Sequence, residues 1–187
     1  MNEIASGKTR DRARDDARNE ARRIIAEFQV SKPPVHVEAL AEALGSQIAR
    51  HRFDGPESGF ALRDQGKWII GVNIQTSRRR QRFTIAHELG HLLLHQGRPI
   101  TVDQAVLRID LRNDVSSMAT DLEEIQANTF AATLLMPEEI VLPYVAGAVR
   151  SDGEITRDDL ISNLSRTFDV SVEAMGYRLI NLGILTA

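Results

Sequence analysis

Ile85-Ala86-His87-Glu88-Leu89-Gly90-His91-Leu92-Leu93-Leu94 is the stretch on which the reading of this chain turns. Two histidines four positions apart lie about 40° apart around a helix, so both rings can reach one metal ion. Glu88 follows the first histidine and points to the side of that face. It can act as a general base on a water at the ion without being a ligand. The neighbours of this polar triplet are apolar. Ile85, Ala86, Leu89, Leu92, Leu93 and Leu94 call for burial, and half-buried histidines need partners. Gly90 in a helix interior costs roughly 1 kcal/mol relative to Ala, which suggests that something packs close at that point. Thr76 or Ser77 can cap the start of the helix, and Gly97 then Pro99 can stop it.

A catalytic zinc takes three protein ligands and keeps one position open for water. The chain has no cysteine, so the third ligand is expected to be His or a carboxylate on a second helix. The segment Asp121-Leu122-Glu123-Glu124-Ile125-Gln126-Ala127-Asn128-Thr129-Phe130-Ala131-Ala132 offers it. Glu124 and Asn128 are four apart and share a face. Glu124 would complete a His-His-Glu set. Asn128 could accept the free N–H of a metal-bound histidine and fix its tautomer. Ala127 and Ala131 would let this helix come close to Ala86 and Gly90. Glu123 competes for the ligand role but reads better as a solvated first-turn glutamate.

These two motifs carry a resemblance. Arg82-Phe83-Thr84-Ile85-Ala86-His87-Glu88-Leu89-Gly90-His91, followed by Leu94-His95, resembles the ImmA/IrrE family of metallopeptidases. So do Glu124-Ile125-Gln126-Ala127-Asn128, Phe130-Ala131-Ala132 and Leu134-Leu135-Met136-Pro137. Phe168-Asp169-Val170-Ser171, Ala174-Met175, Arg178-Leu179 and Leu182-Gly183 are similar to that family's C-terminal segment. The resemblance implies His87, His91 and Glu124 as zinc ligands and Glu88 as catalytic base. Gln126 stands where many relatives have Glu. One zinc per chain is expected, with Mn2+ as an alternative. The resemblance further implies site-specific cleavage of a helix-turn-helix transcriptional repressor, which would derepress a mobile element or a stress response. Two other readings stay open: a non-proteolytic anti-repressor, and a toxin-like phage accessory protease with another target. An adjacent gene for a small helix-turn-helix repressor would favour the first reading.

The rest of the chain fits a zinc endopeptidase of modest size. At 187 residues it can bury a sizeable core in one domain. A charged fraction of 26% and a net charge of -3 exert no global pull toward nucleic acid or membrane. The absence of cysteine excludes disulfides and thiolate metal sites. No apolar run reaches the roughly 20 residues of a membrane span. The first residues are charged, without the apolar core of a signal peptide. A cytoplasmic location is expected.

Residues 1 to 15 read as a frayed tail or an early helix extension. Ala17, Ala21, Ile24, Ile25 and Phe28 recur at helical spacing, and Pro33-Pro34 ends that helix. A short helix from Val37 to Leu44 ends at Gly45. Strands follow over Gln47 to Phe53, Phe60 to Arg63 and Lys67 to Val72, with turns at Asp54-Gly55-Pro56-Glu57-Ser58-Gly59 and Asp64-Gln65-Gly66. The expected fold class is α+β: a zincin-like minimal metalloprotease domain with a small antiparallel sheet and an active-site helix, then a helical helix-turn-helix-like tail. The expected division is 1–32 for the charged segment and first helix, 33–150 for the peptidase domain, and 151–187 for a C-terminal helical module packed on it. One of the three strands is expected to offer its edge to an extended substrate.

Three features call for weighing. His95 is rotated about 80° from His87 around a helix, so it reads as a supporting histidine rather than a ligand. Arg78-Arg79-Arg80-Gln81-Arg82 reads as a solvated helix start, since no interleaved aromatics suggest nucleic-acid stacking. The tail pattern Leu160, Leu164, Phe168, then Val170-Ser171, then Ala174, Met175, Leu179, Leu182 resembles a helix-turn-helix. From Thr156 onward there are three Arg against four acidic residues, a net charge of -1. The tail therefore reads as a packing or docking module, not a DNA reader. The second oxyanion donor is left among Tyr144, Tyr177, Arg178 and His95.

Overall fold

The computed structural model of the chain describes residues 2–53, 58–64, 67–95, 100–102, 114–151 and 155–186. Its elements are α1 (Asn2–Glu27), α2 (Val37–Ala43), β1 (Ser46–His51), β2 (Gly59–Asp64), β3 (Lys67–Asn73), α3 (Arg78–Leu94), β4 (Ile100–Val102), α4 (Asp114–Leu135), α5 (Glu138–Ser151), α6 (Arg157–Phe168) and α7 (Val172–Asn181). The α+β plan holds, with one four-stranded sheet in the order β1-β3-β2-β4.

The sheet is mixed rather than wholly antiparallel as expected, because β1 pairs parallel with β3. β3 pairs antiparallel with β2, and β2 pairs antiparallel with β4. The physical reason lies in β3, Lys67-Trp68-Ile69-Ile70-Gly71-Val72-Asn73, the most apolar of the strands, which takes a position between two neighbours. That leaves β1 on the outer side of β3 instead of beside β2. Of the three strands read from sequence, only β1 keeps an open edge. The other edge belongs to β4, which the sequence reading omitted. The expected turn residues Asp54, Gly55, Pro56, Glu57, Gln65 and Gly66, and the helix stops Gly97 and Pro99, lie outside the described residues.

The site helix α3 lies on β2 and β3, and α4 packs along its other side. Ser77 caps α3 by accepting from the Arg80 backbone N–H. The turn before it is tied down by Asn73, whose side chain accepts from Gln75 N at 3.0 Å and whose carbonyl accepts from Thr76 Oγ1 at 2.8 Å. α3 ends at Leu94, with His95 as its C-cap. α3 and α4 come close at Gly90. A Cβ there would lie 3.1 Å from Phe130 Cδ1 and 3.2 Å from Ala127 Cα. The missing side chain is what lets the two helices come this close.

α1 packs on α4 through Ala13, Ala17, Ala21 and Ile24, a narrow seam of mostly small residues. The core runs from this seam through Ile85, Leu89, Phe130 and Leu134 to Phe168, Met175 and Leu179 of the last two helices. Asp169, left-handed at φ 52°, forms the turn between α6 and α7. It accepts on α3. Its carbonyl takes a hydrogen bond from Arg82 Nε at 3.1 Å, and its carboxylate lies 3.2 to 3.6 Å from Arg78, Arg79 and Arg82. Arg82 also donates to the Val35 carbonyl at 2.9 Å and is buried. The arginine run is therefore not a purely solvated helix start: at Arg82 it is a buried clamp between α3, the segment before α2 and the α6–α7 turn. Among the described residues, no single helix is long and apolar enough to cross a membrane.

Candidate metal centre

α3 turns His87 and His91 toward the same side, and α4 brings Glu124 against them. The two Nε2 atoms are 3.1 Å apart. Glu124 Oε2 lies 3.4 Å from His87 Nε2, and its Oε1 lies 3.2 Å from His91 Nε2. Two nitrogens and a carboxylate are a zinc-type donor set. Ligands held about 2.0–2.1 Å from a tetrahedral ion sit roughly 3.3 Å from one another. The three measured separations fall around that value, so these residues fit the ion. Glu123, the competing ligand, is not in the cluster of donors that meet among the described residues.

Electrostatics favour the ionised glutamate. Burial pushes the Glu124 carboxyl up, but hydrogen bonds and charge from His87 and His91 outweigh it. The net result holds the carboxyl well below the usual carboxylate range. Glu124 remains partly open, with 41% of its side chain exposed, so the centre is reachable from outside. Glu88 is fully buried at 0% exposure, one helical step, about 100°, from His87.

Behind His91 runs a chain of hydrogen bonds. His91 Nδ1 is 3.0 Å from His95 Nδ1, and His95 Nε2 is 2.9 Å from Gln126 Oε1. The amide oxygen can only accept, so it assigns the His95 proton to Nε2. His95 Nδ1 then accepts from His91 Nδ1–H, and His91 Nε2 is left with its lone pair toward Glu124 and His87. The structure places His95 beside His91. Gln126 was missed. Spacing gave no signal for it, because residues two positions apart point about 200° from one another around a helix.

Asn128 does not fill the role expected of it. It is exposed, and no hydrogen bond joins it to a histidine among the described residues. α3 and α4 run antiparallel, so one turn beyond Glu124 brings Asn128 beside Phe83, toward the start of α3. His91 Nδ1 faces the opposite end, with His95. Of the four candidate oxyanion donors, Arg178 is spent: its Nε donates to the Met136 carbonyl at 2.9 Å, and burial pulls its pKa down to about 10. Tyr144 packs edge-on against Phe168 at 5.7 Å, and His95 is in the chain just described. Tyr177 stands 62% exposed.

The chain is similar to known proteins in sequence and in fold. The chain is 26% identical over 140 residues to "uncharacterized immunity region protein 2" of Bacillus phage phi105, covering 74% of this chain and 75% of that protein. A solved structure described as a Mycobacterium tuberculosis transcriptional regulator superposes with a TM-score of 0.63 at 18% identity, over 95% of this chain. At that identity the likeness is one of fold, and the chain spans 61% of that protein's length. The model of the peptidase M78 family, the IrrE N-terminal-like domain, matches residues 41–180. This match takes in both histidines, Glu88, Glu124 and the last helices, and by it the chain belongs to the peptidase M78 family.

Proposed function

We propose that this protein is a zinc-dependent endopeptidase that cuts a helix-turn-helix transcriptional repressor at a defined site. The observation that carries the reading is the convergence of His87, His91 and Glu124 from two helices, with the buried Glu88 adjoining the first ligand. Membership of a peptidase family and the descriptions of the two similar proteins, an immunity-region protein and a transcriptional regulator, support a regulator as target.

When bound, the ion would supply Lewis acidity to a water and to the scissile carbonyl. The chain's own groups do the rest. Glu88, away from bulk solvent, takes a proton from the attacking water and delivers it to the leaving amine. Glu124 holds its negative charge throughout. The Gln126–His95–His91 chain keeps the His91 ring oriented and its Nε2 lone pair available.

The test uses the purified zinc-loaded protein and the helix-turn-helix regulator encoded nearest to it, with products read by intact mass. One defined cut is expected, absent from Glu88→Gln at equal zinc content. Normal cleavage by Glu88→Gln would sink the mechanism. Tight binding without a cut, at one zinc per chain, would turn the assignment toward an anti-repressor.

A further inference from the structure

A groove of about 790 Å3 opens along α3, α4 and α7. Its apolar lining is Phe83 from α3, Ala132 and Met136 at the end of α4, and Ala174 from α7, with the buried Arg178 held to the Met136 carbonyl among them. Val172 and Tyr177 stand on its rim, 51% and 62% exposed. These are large apolar and aromatic groups left uncovered beside one another.

The groove adjoins the metal centre. Phe83 lies one turn before His87 and stacks on its ring, centroids 6.2 Å apart at 29°. Asn128, on the wall, lies one turn beyond Glu124. Because the two helices are antiparallel, both walls leave the ligands in the same direction.

The groove is also basic at its far end. Arg79 and Arg80 line it, and Arg78 and Arg82 flank them at the N-terminus of α3. Asp169, which meets three of these four arginines, Glu173 on the groove wall and Glu38 near Arg82 are the acidic groups around them, so the excess positive charge on the groove itself rests on Arg79 and Arg80. The positive end of the α3 dipole adds to the excess. A helix start normally collects carboxylates, so Arg79 and Arg80 on the groove wall leave a field there that attracts anions.

We propose that this groove binds the substrate on one side of the scissile bond, and that it selects a bulky apolar residue followed by an acidic one. The proposal rests on the peptidase reading and gives it a substrate preference. One helical turn is about 5.4 Å, and an extended chain advances about 3.3 Å per residue. Phe83, one turn from His87, then meets a side chain roughly two residues from the cut. Arg79 and Arg80, two turns away, meet one roughly three or four residues from it. A nucleic-acid strand would also suit the charge, but the apolar lining beside the proposed peptidase centre favours a peptide.

The probes are two fluorescein-labelled dodecapeptides, alike except that one carries a leucine followed by two aspartates and the other a leucine followed by two lysines. Anisotropy with the full-length zinc-loaded Glu88→Gln protein reads binding. The acidic peptide is expected to bind at least tenfold tighter, and to lose several-fold between 50 and 300 mM salt. Arg79→Glu with Arg80→Glu should abolish or invert the preference. Should that variant misfold, Ala132→Phe, which fills the groove at its apolar lining, should weaken both peptides alike, and the salt dependence needs no variant. Equal binding of the two peptides, or a preference that survives the charge reversal, overturns the proposal. So does a single-stranded dodecanucleotide that outcompetes the acidic peptide. Active protein is then given a random peptide library, with products sequenced by mass spectrometry. Cuts without an acidic residue three or four positions away refute the groove and leave the peptidase standing. Selective binding with no cut anywhere refutes the peptidase reading instead.

Discussion

Replacing Gly90 and Gly147 by alanine makes the same chemical change in two helices, with opposite expected signs. In a helix interior Ala is favoured over Gly by about 1 kcal/mol. Gly147 is exposed in α5, and a Cβ there meets nothing within 4 Å. Gly147→Ala should therefore keep most of that gain and raise the Tm of a chain this size by about 2–3 °C. At Gly90 the new methyl would lie 3.1 Å from Phe130 Cδ1 and 3.2 Å from Ala127 Cα. Ordinary carbon contacts are about 3.5–4.0 Å, so α3 and α4 must part by a few tenths of an ångström. Overpacking of this kind costs about 1–3 kcal/mol, which outweighs the helical gain. Gly90→Ala should lower the Tm by about 2–4 °C. A second effect follows, because Ala127 lies three residues from Glu124 on the helix being displaced. The rise in Tm that saturating zinc produces should shrink in Gly90→Ala and stay unchanged in Gly147→Ala. Thermal unfolding followed by circular dichroism, with and without zinc, measures both. If Gly90→Ala melts as far above the parent as Gly147→Ala does, the account of the helix contact is wrong.

Other consequences can be checked as directly. Glu124→Ala should reduce zinc affinity by about a hundredfold or more while far-UV dichroism stays native, measured by competition with a chromogenic chelator. His95→Ala should weaken zinc by about tenfold, with His95→Gln recovering part of the loss; unchanged affinity in both would remove the orienting role of the chain behind His91. Arg178→Met keeps the bulk but strips the buried Met136 carbonyl of its donor, so about 1–3 kcal/mol should be lost in urea unfolding. The buried Thr133 hydroxyl has no hydrogen-bond partner among the described residues, so Thr133→Val should gain about 1 kcal/mol, and a loss would reveal a partner such as an ordered water.

The metal helix was legible because local signals agreed along it: a serine cap, apolar residues around the histidines, and a glycine at a close contact. Glu124 was legible because ligand chemistry limited the choice and small neighbours showed which face could come close. The sheet was harder. Alternation along a strand says which side faces the core but not which strand lies beside it, so β1 against β3 could not be read, and three-residue β4 is too short to carry a period. Arg82 looked like part of a solvated basic run, because its two acceptors, Val35 O and Asp169 O, are backbone atoms 47 and 87 residues away. Asn128 was assigned by its spacing from Glu124. Spacing fixes a face but not a direction, and the approach of α4 leaves Asn128 exposed, with no hydrogen bond to either histidine among the described residues.

The packing of α1 on α4 also sets an order of events during synthesis. About 90 residues of chain separate Glu27 from Asp114, which at roughly 5–20 residues per second is several seconds of translation. Until then α1 has no α4 to lie against, and the glutamate arm of the metal centre does not exist. The α1–α4 contact closes this long loop, whose entropy must be met before the contact rewards it, and the three donors of the candidate metal centre can meet only once α4 has been made. The wait carries little risk, because the seam that α1 leaves open is mostly alanine, with Ile24 at its end. A leucine-rich face would offer nascent neighbours a surface to aggregate on; this one exposes few apolar atoms until its partner arrives.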